Sequence, residues 1–140
     1  MNATSSSGPQ VLEVCDGRGL ALVPLVAPTT PDERMRRIGD RARGFLYTVS
    51  VTGTTGERAE LDGSLSGVLA RARASTGVPV AVGFGIGTPQ QAAEAAGAGA
   101  DGVIIGTRLV RAAAEADDPA AAVGRLVREF ADALRRQTVK

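Results

Sequence analysis

The succession of strand-type and helix-type segments predicts an α/β fold made of a parallel βα repeat. Two observations carry this. Short apolar runs of strand length recur along the chain, each followed by a segment whose apolar residues keep helical spacing. Glycine clusters stand where several of these runs give way to the next helix. Strands that alternate with helices lie parallel and are joined by right-handed crossovers. The 140-residue chain holds four such units, which suits a small open sheet or half of an eight-stranded barrel. A complete barrel of that kind takes about 250 residues.

Each element has its own justification. Residues 1–8 are Ser-rich and are expected to form a disordered tail, with the folded domain spanning 9–140. From Pro9 a short helical pattern (Val11, Leu12, Val14, Cys15) runs to Gly17 and Gly19. Leu20 to Ala27 is a continuous apolar run, the pattern of a parallel strand covered on both faces. Pro24 within it removes a ladder donor, so a bulge is expected there. Thr30-Pro-Asp-Glu33 spells a helix start, with the Thr hydroxyl as cap and Met35 and Ile38 facing inward. Phe45 to Ser50 reads as the second strand. Val51 to Gly63 has no periodicity and reads as a loop, long for a βα connection, which typically takes about 2–6 residues.

Leu65, Val68, Leu69 and Ala72 then share one helix face, which closes near Gly77. Val78 to Val82 is the third strand, ending in Gly83-Phe-Gly-Ile-Gly87. Thr88-Pro-Gln-Gln91 carries a capping-box signature, and its helix runs to Gly97. Gly102 to Ile105 is the fourth strand, and Gly106-Thr107 opens another helix. Asp118-Pro119 caps the last one, with Val123, Leu126, Val127, Phe130 and Leu134 at helical spacing.

Composition narrows the chemistry. Hydrophobic residues make up 44%, charged residues 22%, and the formal net charge is +1. That balance fits a globular domain rather than a disordered chain or a nucleic-acid binder. No apolar run reaches the roughly 18 residues of a membrane span, and the N-terminus lacks a secretory pattern. A cytoplasmic location without membrane partners is expected. There is no His, Cys15 is the only cysteine and Lys140 the only lysine. Histidine catalysis, His or thiolate metal sites and Schiff-base chemistry are therefore excluded, and neither metal nor cofactor is expected. Phe45, Tyr47, Phe84 and Phe130 are too few aromatics to stack bases.

Ligands of parallel α/β folds bind where strands end and helices begin. Three such junctions are glycine-rich: Gly53-Thr-Thr-Gly56, Gly83-Phe-Gly-Ile-Gly87 and Gly106-Thr107. Each taken singly reads as a tight turn. Together, at successive strand ends, they read as an anion site, because glycine lets backbone N–H groups approach a phosphate and a helix start adds donors and dipole. Gly83-x-Gly85-x-Gly87 lacks the spacing of a dinucleotide fingerprint. Arg108, in the first helical turn, opposes the dipole and reads either as solvated or as a phosphate clamp. Among the carboxylates, Glu13, Asp32, Glu33, Glu60 and Asp62 do not end a strand, and Asp101 precedes one. None makes a catalytic acid–base pair.

These residues carry a resemblance. Gly44-Phe-Leu-Tyr-Thr-Val-Ser-Val-Thr-Gly-Thr-Thr-Gly56 resembles the sixth strand and following loop of the tryptophan synthase alpha chain family. Leu22 to Thr30 is similar to its fifth strand and exit, Val80 to Gln91 to its seventh strand and phosphate loop, and Gly99 to Val110 to its eighth. The resemblance implies the C-terminal half, strands five to eight, of a (β/α)8 TIM barrel. The family reaction it implies is aldol cleavage of indole-3-glycerol phosphate to indole and glyceraldehyde 3-phosphate, a lyase step of tryptophan biosynthesis. It also implies backbone amides of Gly56, Gly85, Gly106 and Thr107 on the substrate phosphate, with the Thr107 hydroxyl assisting. Tyr47, Phe84 and Ile104 would pack around the indole ring, and Thr55 would help close the loop.

Arg108 departs from the small residue common at its position in the family. The family's catalytic Glu lies on the second strand and its catalytic Asp in a Pro-Tyr/Phe-Ser-Asp-Pro motif after it; neither falls in this sequence. Losing an acid or a base costs roughly 10²–10⁴-fold each, so the chain is expected to be inactive alone and no catalytic residue is assigned. The partners implied are the beta chain, a separately encoded N-terminal half-barrel or a second copy in a homodimer, and a small phosphate ester. The alternative reading is a non-catalytic phosphate-binding or beta-chain-binding module. A fragment of a phosphate-binding barrel from histidine or thiamin biosynthesis is disfavoured by the Tyr47–Gly56 stretch.

Overall fold

Strand alternation sends successive side chains to opposite faces of a sheet, and here the two faces have different fates. The structure, a computed structural model, describes residues 7–49, 64–83 and 85–138. Its elements are α1 (Ser7–Gly17), β1 (Leu25–Val26), α2 (Asp32–Arg41), β2 (Leu46–Val49), α3 (Ser64–Ser75), β3 (Val80–Gly83), α4 (Pro89–Gly97), β4 (Gly102–Val103), α5 (Thr107–Glu115) and α6 (Pro119–Thr138). The four strands are parallel and lie in sequence order, β1-β2-β3-β4. This is the α/β fold expected from the sequence.

The register sorts the residues. Val26 pairs with Thr48, Leu46 with Val80, and Thr48 with Val82. All five are buried and face the helices, where Met35, Leu65, Val68, Leu69, Ala72, Ala92 and Ala95 meet them. Each large side chain buried there contributes about 1.5–3 kcal/mol of transfer free energy. The opposite face carries Leu25, Tyr47, Ala81 and Gly102, which are also in register. Leu25 on that face is 60% exposed.

Helices α2, α3, α4 and α6 cover the buried face of the sheet. α2 packs on α3, and α4 and α5 on α6. The closest approach is at Gly39 of α2, where a Cβ would stand 2.6 Å from the Ser75 carbonyl carbon and against its oxygen. The Thr76 hydroxyl donates to the Gly39 carbonyl at 3.0 Å, tying the ends of the two helices together. The predicted inward residues of α2 and α3 are all buried or half-buried. On α6, Phe130 is buried and Leu134 packs on the core.

Several local expectations are corrected. The run Leu20 to Ala27 is not covered on both faces: Leu20, Leu22 and Leu25 are exposed. Strand pairing begins only after Pro24, which has no N–H but whose carbonyl accepts from the Tyr47 amide at 3.0 Å. A shorter strand, rather than a bulge, accommodates the proline. Thr30 does not cap α2. Its hydroxyl accepts the Ala27 amide at 2.9 Å, closing the turn after β1, and Pro31 takes the N-cap position without a side-chain bond. Val127 lies 47% exposed, off the buried face of α6. α1 begins at Ser7, two residues inside the expected tail. The expected loop Val51–Gly63 lies outside the described residues.

Candidate functional site: the tips of β2, β3 and β4

At the C-terminal end of the sheet, β3 and β4 stay paired to their last residues, since the Ile104 amide donates to the Val82 carbonyl at 2.8 Å beyond the assigned end of β4. Gly83 is the last residue of β3. A Cβ there would collide with the Tyr47 hydroxyl, stand 2.7 Å from Tyr47 Cζ and 3.1 Å from Ile104 Cβ. The end of the Tyr47 ring and the Ile104 side chain, just past the end of β4, therefore both border Gly83. Two of the three residues expected around an aromatic substrate, Tyr47 and Ile104, thus both lie against Gly83 at the end of β3. The third, Phe84, lies outside the described residues, as do Thr55 and Gly56.

The chain leaves β3 through Gly85, whose φ of +82° is left-handed and strains any residue with a side chain. Ile86 anchors the loop in the core. The start of α4 satisfies its own donors. Gln91 Oε1 accepts the Gly87 amide at 2.8 Å and the Thr88 amide at 3.2 Å, and Thr88 Oγ1 accepts the Gln91 amide at 3.2 Å. This is the reciprocal box that the Thr88-Pro-Gln-Gln91 pattern predicts.

The start of α5 is built differently. Gly106 is its N-cap, offers no side chain, and its carbonyl accepts from the Leu109 and Val110 amides at 3.0 and 3.1 Å. No acidic residue stands in the first turn. The earliest amides of a helix have no partner within the helix, and Gly106, Thr107 and Arg108 are all exposed at this end. Gly85 and Gly106 thus leave adjacent strand tips, each two or three residues past the last residue of its strand. Between them, the box on α4 withdraws donors while α5 presents them.

Asp101, at the opposite end of the sheet, has a structural role. Its Oδ2 accepts the Val80 amide at 2.9 Å and its Oδ1 the Arg73 guanidinium at 3.2 Å. Sequence reading missed Arg71, which ties α3 to the turn after β1. It donates to Asp32 Oδ1 at 2.6 Å, to the Pro28 carbonyl at 3.0 Å and to the Thr30 carbonyl. Its partner Asp32 lies 39 residues away in the chain, and spacing within a helix carries no trace of that. Among the described residues there is no cluster of three metal-ligating side chains, and no helix is long and apolar enough to cross a membrane.

A parallel sheet in sequence order with helices packed on one face is the architecture of half a (β/α)8-type fold. Comparison with known proteins gives the family. The tryptophan synthase alpha chain model matches residues 5–138, and the chain belongs to that family. It is 50% identical over 119 residues to the tryptophan synthase alpha chain of Gloeobacter violaceus, and 48% identical over 116 residues to that of Methanosarcina mazei. These alignments cover 85% and 83% of this chain but 42% of each relative. The tryptophan synthase alpha subunit of the hyperthermophile Pyrococcus furiosus superposes with a TM-score of 0.80 at 31% identity, covering 94% of this chain and 53% of that one. The chain thus spans about half the length of the proteins it matches.

Proposed function

We propose that this chain is the phosphate-holding half of an alpha-chain-type lyase acting on indole-3-glycerol phosphate, and that turnover to indole and glyceraldehyde 3-phosphate requires a complementary half. The single observation that carries the reading is the contrast at neighbouring strand tips: α4 closes its N-terminus with its own side chains, whereas α5 starts at Gly106 without a side-chain cap, beside the exposed, left-handed Gly85. Backbone amides of Gly85, Gly106 and Thr107, with Gly56 from the loop after β2, hold the phosphate; the helix start supplies dipole and donors without a protonation step. The Thr107 hydroxyl adds a further bond. Tyr47 and Ile104, with Phe84, pack on the indole ring, and Thr55 closes the loop over it. The proton-moving carboxylates come from the other half, and the beta chain takes the indole.

Titration of isotope-labelled chain with glycerol 3-phosphate tests this. The amides of Gly85, Gly106 and Thr107 are expected to shift together, with one dissociation constant. Thr107→Pro suits the first helical position but removes the N–H and the hydroxyl. It is expected to weaken binding at least tenfold while α5 stays helical. Undiminished binding by this variant, or no shift at these amides in the parent chain, rejects the site. Phosphate-ester binding with no indole release, even beside a complementary half, would assign the chain instead to the non-catalytic binding module.

A further inference from the structure

Arg71 and Arg73 of α3 serve opposite ends of the sheet. Arg73 donates to the Gly99 carbonyl at 2.7 Å and to Asp101 at 3.2 Å, ahead of β4. Arg71 reaches the turn that leaves β1, where its acceptors Pro28, Thr30 and Asp32 lie. That turn already has its shape: the Thr30 amide donates to the Ala27 carbonyl and the Ala27 amide to Thr30 Oγ1, both at 2.9 Å. The packing of α2 on α3 does not need Arg71 either, since Met35, Leu69 and the Gly39–Ser75 contact hold it. Asp32, the ionic partner, has a side chain 73% exposed, and exposed ion pairs add little stability. What the guanidinium fixes is where the finished turn stands, because it ties two of the turn's carbonyls to a helix whose inner face is buried.

Parallel strands all end on the same side, and (β/α)8 folds bind their ligands there. The register sets Leu25 beside Tyr47 and Val26 beside Thr48, so the turn begins next to the end of β2. Neighbouring strands lie about 4.8 Å apart, which leaves the start of the turn about 10 Å from the tip of β3 and about 14 Å from that of β4. The turn thus borders the strand of Tyr47 and stands away from Gly85 and Gly106. We infer that Arg71 is a positioning residue of the ligand site: it holds the turn after β1 as a fixed wall beside β2, and so sets affinity for the aromatic end of the substrate without acting on its phosphate. This inference rests on the function proposed above. A guanidinium suits the task, because its rigid planar fork serves three acceptors in set directions, whereas a lysine ammonium is a point charge on a flexible stem.

The test titrates the isotope-labelled 140-residue chain with two probes, glycerol 3-phosphate and indole-3-glycerol phosphate. In the parent chain the Ala27 and Thr30 amides are expected to shift with the indole ester and to stay still with glycerol 3-phosphate. Arg71→Gln is expected to weaken the indole ester at least fivefold and to leave glycerol 3-phosphate within twofold. Arg71→Lys, which keeps the charge and the fold but not the fork, is expected to weaken the indole ester at least threefold. Arg73→Gln serves as the control on the same helix: it is expected to lower the urea midpoint and to leave both affinities within twofold. A purely structural role for Arg71 would weaken both probes alike or neither, and either result overturns the inference. Full retention of the indole ester by Arg71→Lys, or the same split between probes in Arg73→Gln, overturns it as well. These failures leave the phosphate site standing. A parent chain that does not bind glycerol 3-phosphate instead rejects the phosphate reading, and the role of Arg71 falls with it.

Discussion

An added Cβ would meet a neighbour at under 3 Å at two glycines, with different consequences. At Gly83 the obstacle to a Cβ is the tip of the half-buried Tyr47 side chain, which can swing, whereas at Gly39 it is the Ser75 backbone, which cannot. Gly39→Ala therefore overpacks the α2–α3 contact and is expected to cost about 2–3 kcal/mol, read from the urea midpoint. A loss below about 0.5 kcal/mol, the range of ordinary surface changes, would mean that the helices slide apart freely. Gly39 and Gly83 look alike in the sequence; their roles come from a partner 36 residues away in one case and a neighbouring strand in the other. The residue scale also decided Thr30, whose hydroxyl accepts the Ala27 amide while Pro31 stands at the N-cap of α2.

Among the elements, α4 and α5 were equally legible as helices, yet their ends differ in function. The box at α4 has four positions in a row, Thr88 to Gln91, so its bonds follow from local sequence. Thr88→Ala is expected to cost about 1 kcal/mol, seen as a lower urea midpoint and faster amide exchange at Gln91. An unchanged midpoint would show that tertiary packing alone holds the start of α4. At α5 the informative feature was the lack of any cap at Gly106, which a sequence reading could notice but not interpret without the adjoining tip of β3. β1 is shorter than its apolar run for a related reason. Apolar composition marks a strand, but a ladder needs a neighbour's carbonyls and amides, and β2 meets the run only from Pro24 onward.

For the whole molecule, the sheet has one face packed against helices and another on which Leu25 stays exposed among the described residues. Leu20, Leu22 and Leu25 are exposed together near its β1 edge, and contiguous exposed apolar surface marks an interaction site in a soluble domain. The lone chain is expected to bind a hydrophobic fluorescent dye. The pair Leu22→Gln and Leu25→Lys should reduce that signal severalfold while stability changes by no more than about 0.5 kcal/mol. A large loss of stability would mean that these leucines belong to the core. Alternation and chain length together gave four parallel βα units, and the four collinear motifs identified the family. Neither could tell that the run Leu20 to Ala27 is open on one side, since burial by a partner and burial by the chain's own helices leave the same apolar signature.

What the amino-acid order determined by itself was local: which segments repeat as strand and helix, where glycine allows a backbone turn, how Thr88 and Gln91 cap one helix, and which chemistries a chain without histidine is denied. Tertiary structure alone decided which face of each strand is covered, that Tyr47 lies over Gly83 beside Ile104, and that Arg71 holds the turn after β1. The reason is range. Periodicity and capping act over one or two turns of chain, whereas the contacts of Tyr47 with Gly83 and of Arg71 with Asp32 and Pro28 join residues 36 to 43 positions apart, whose meeting depends on how the strands are registered.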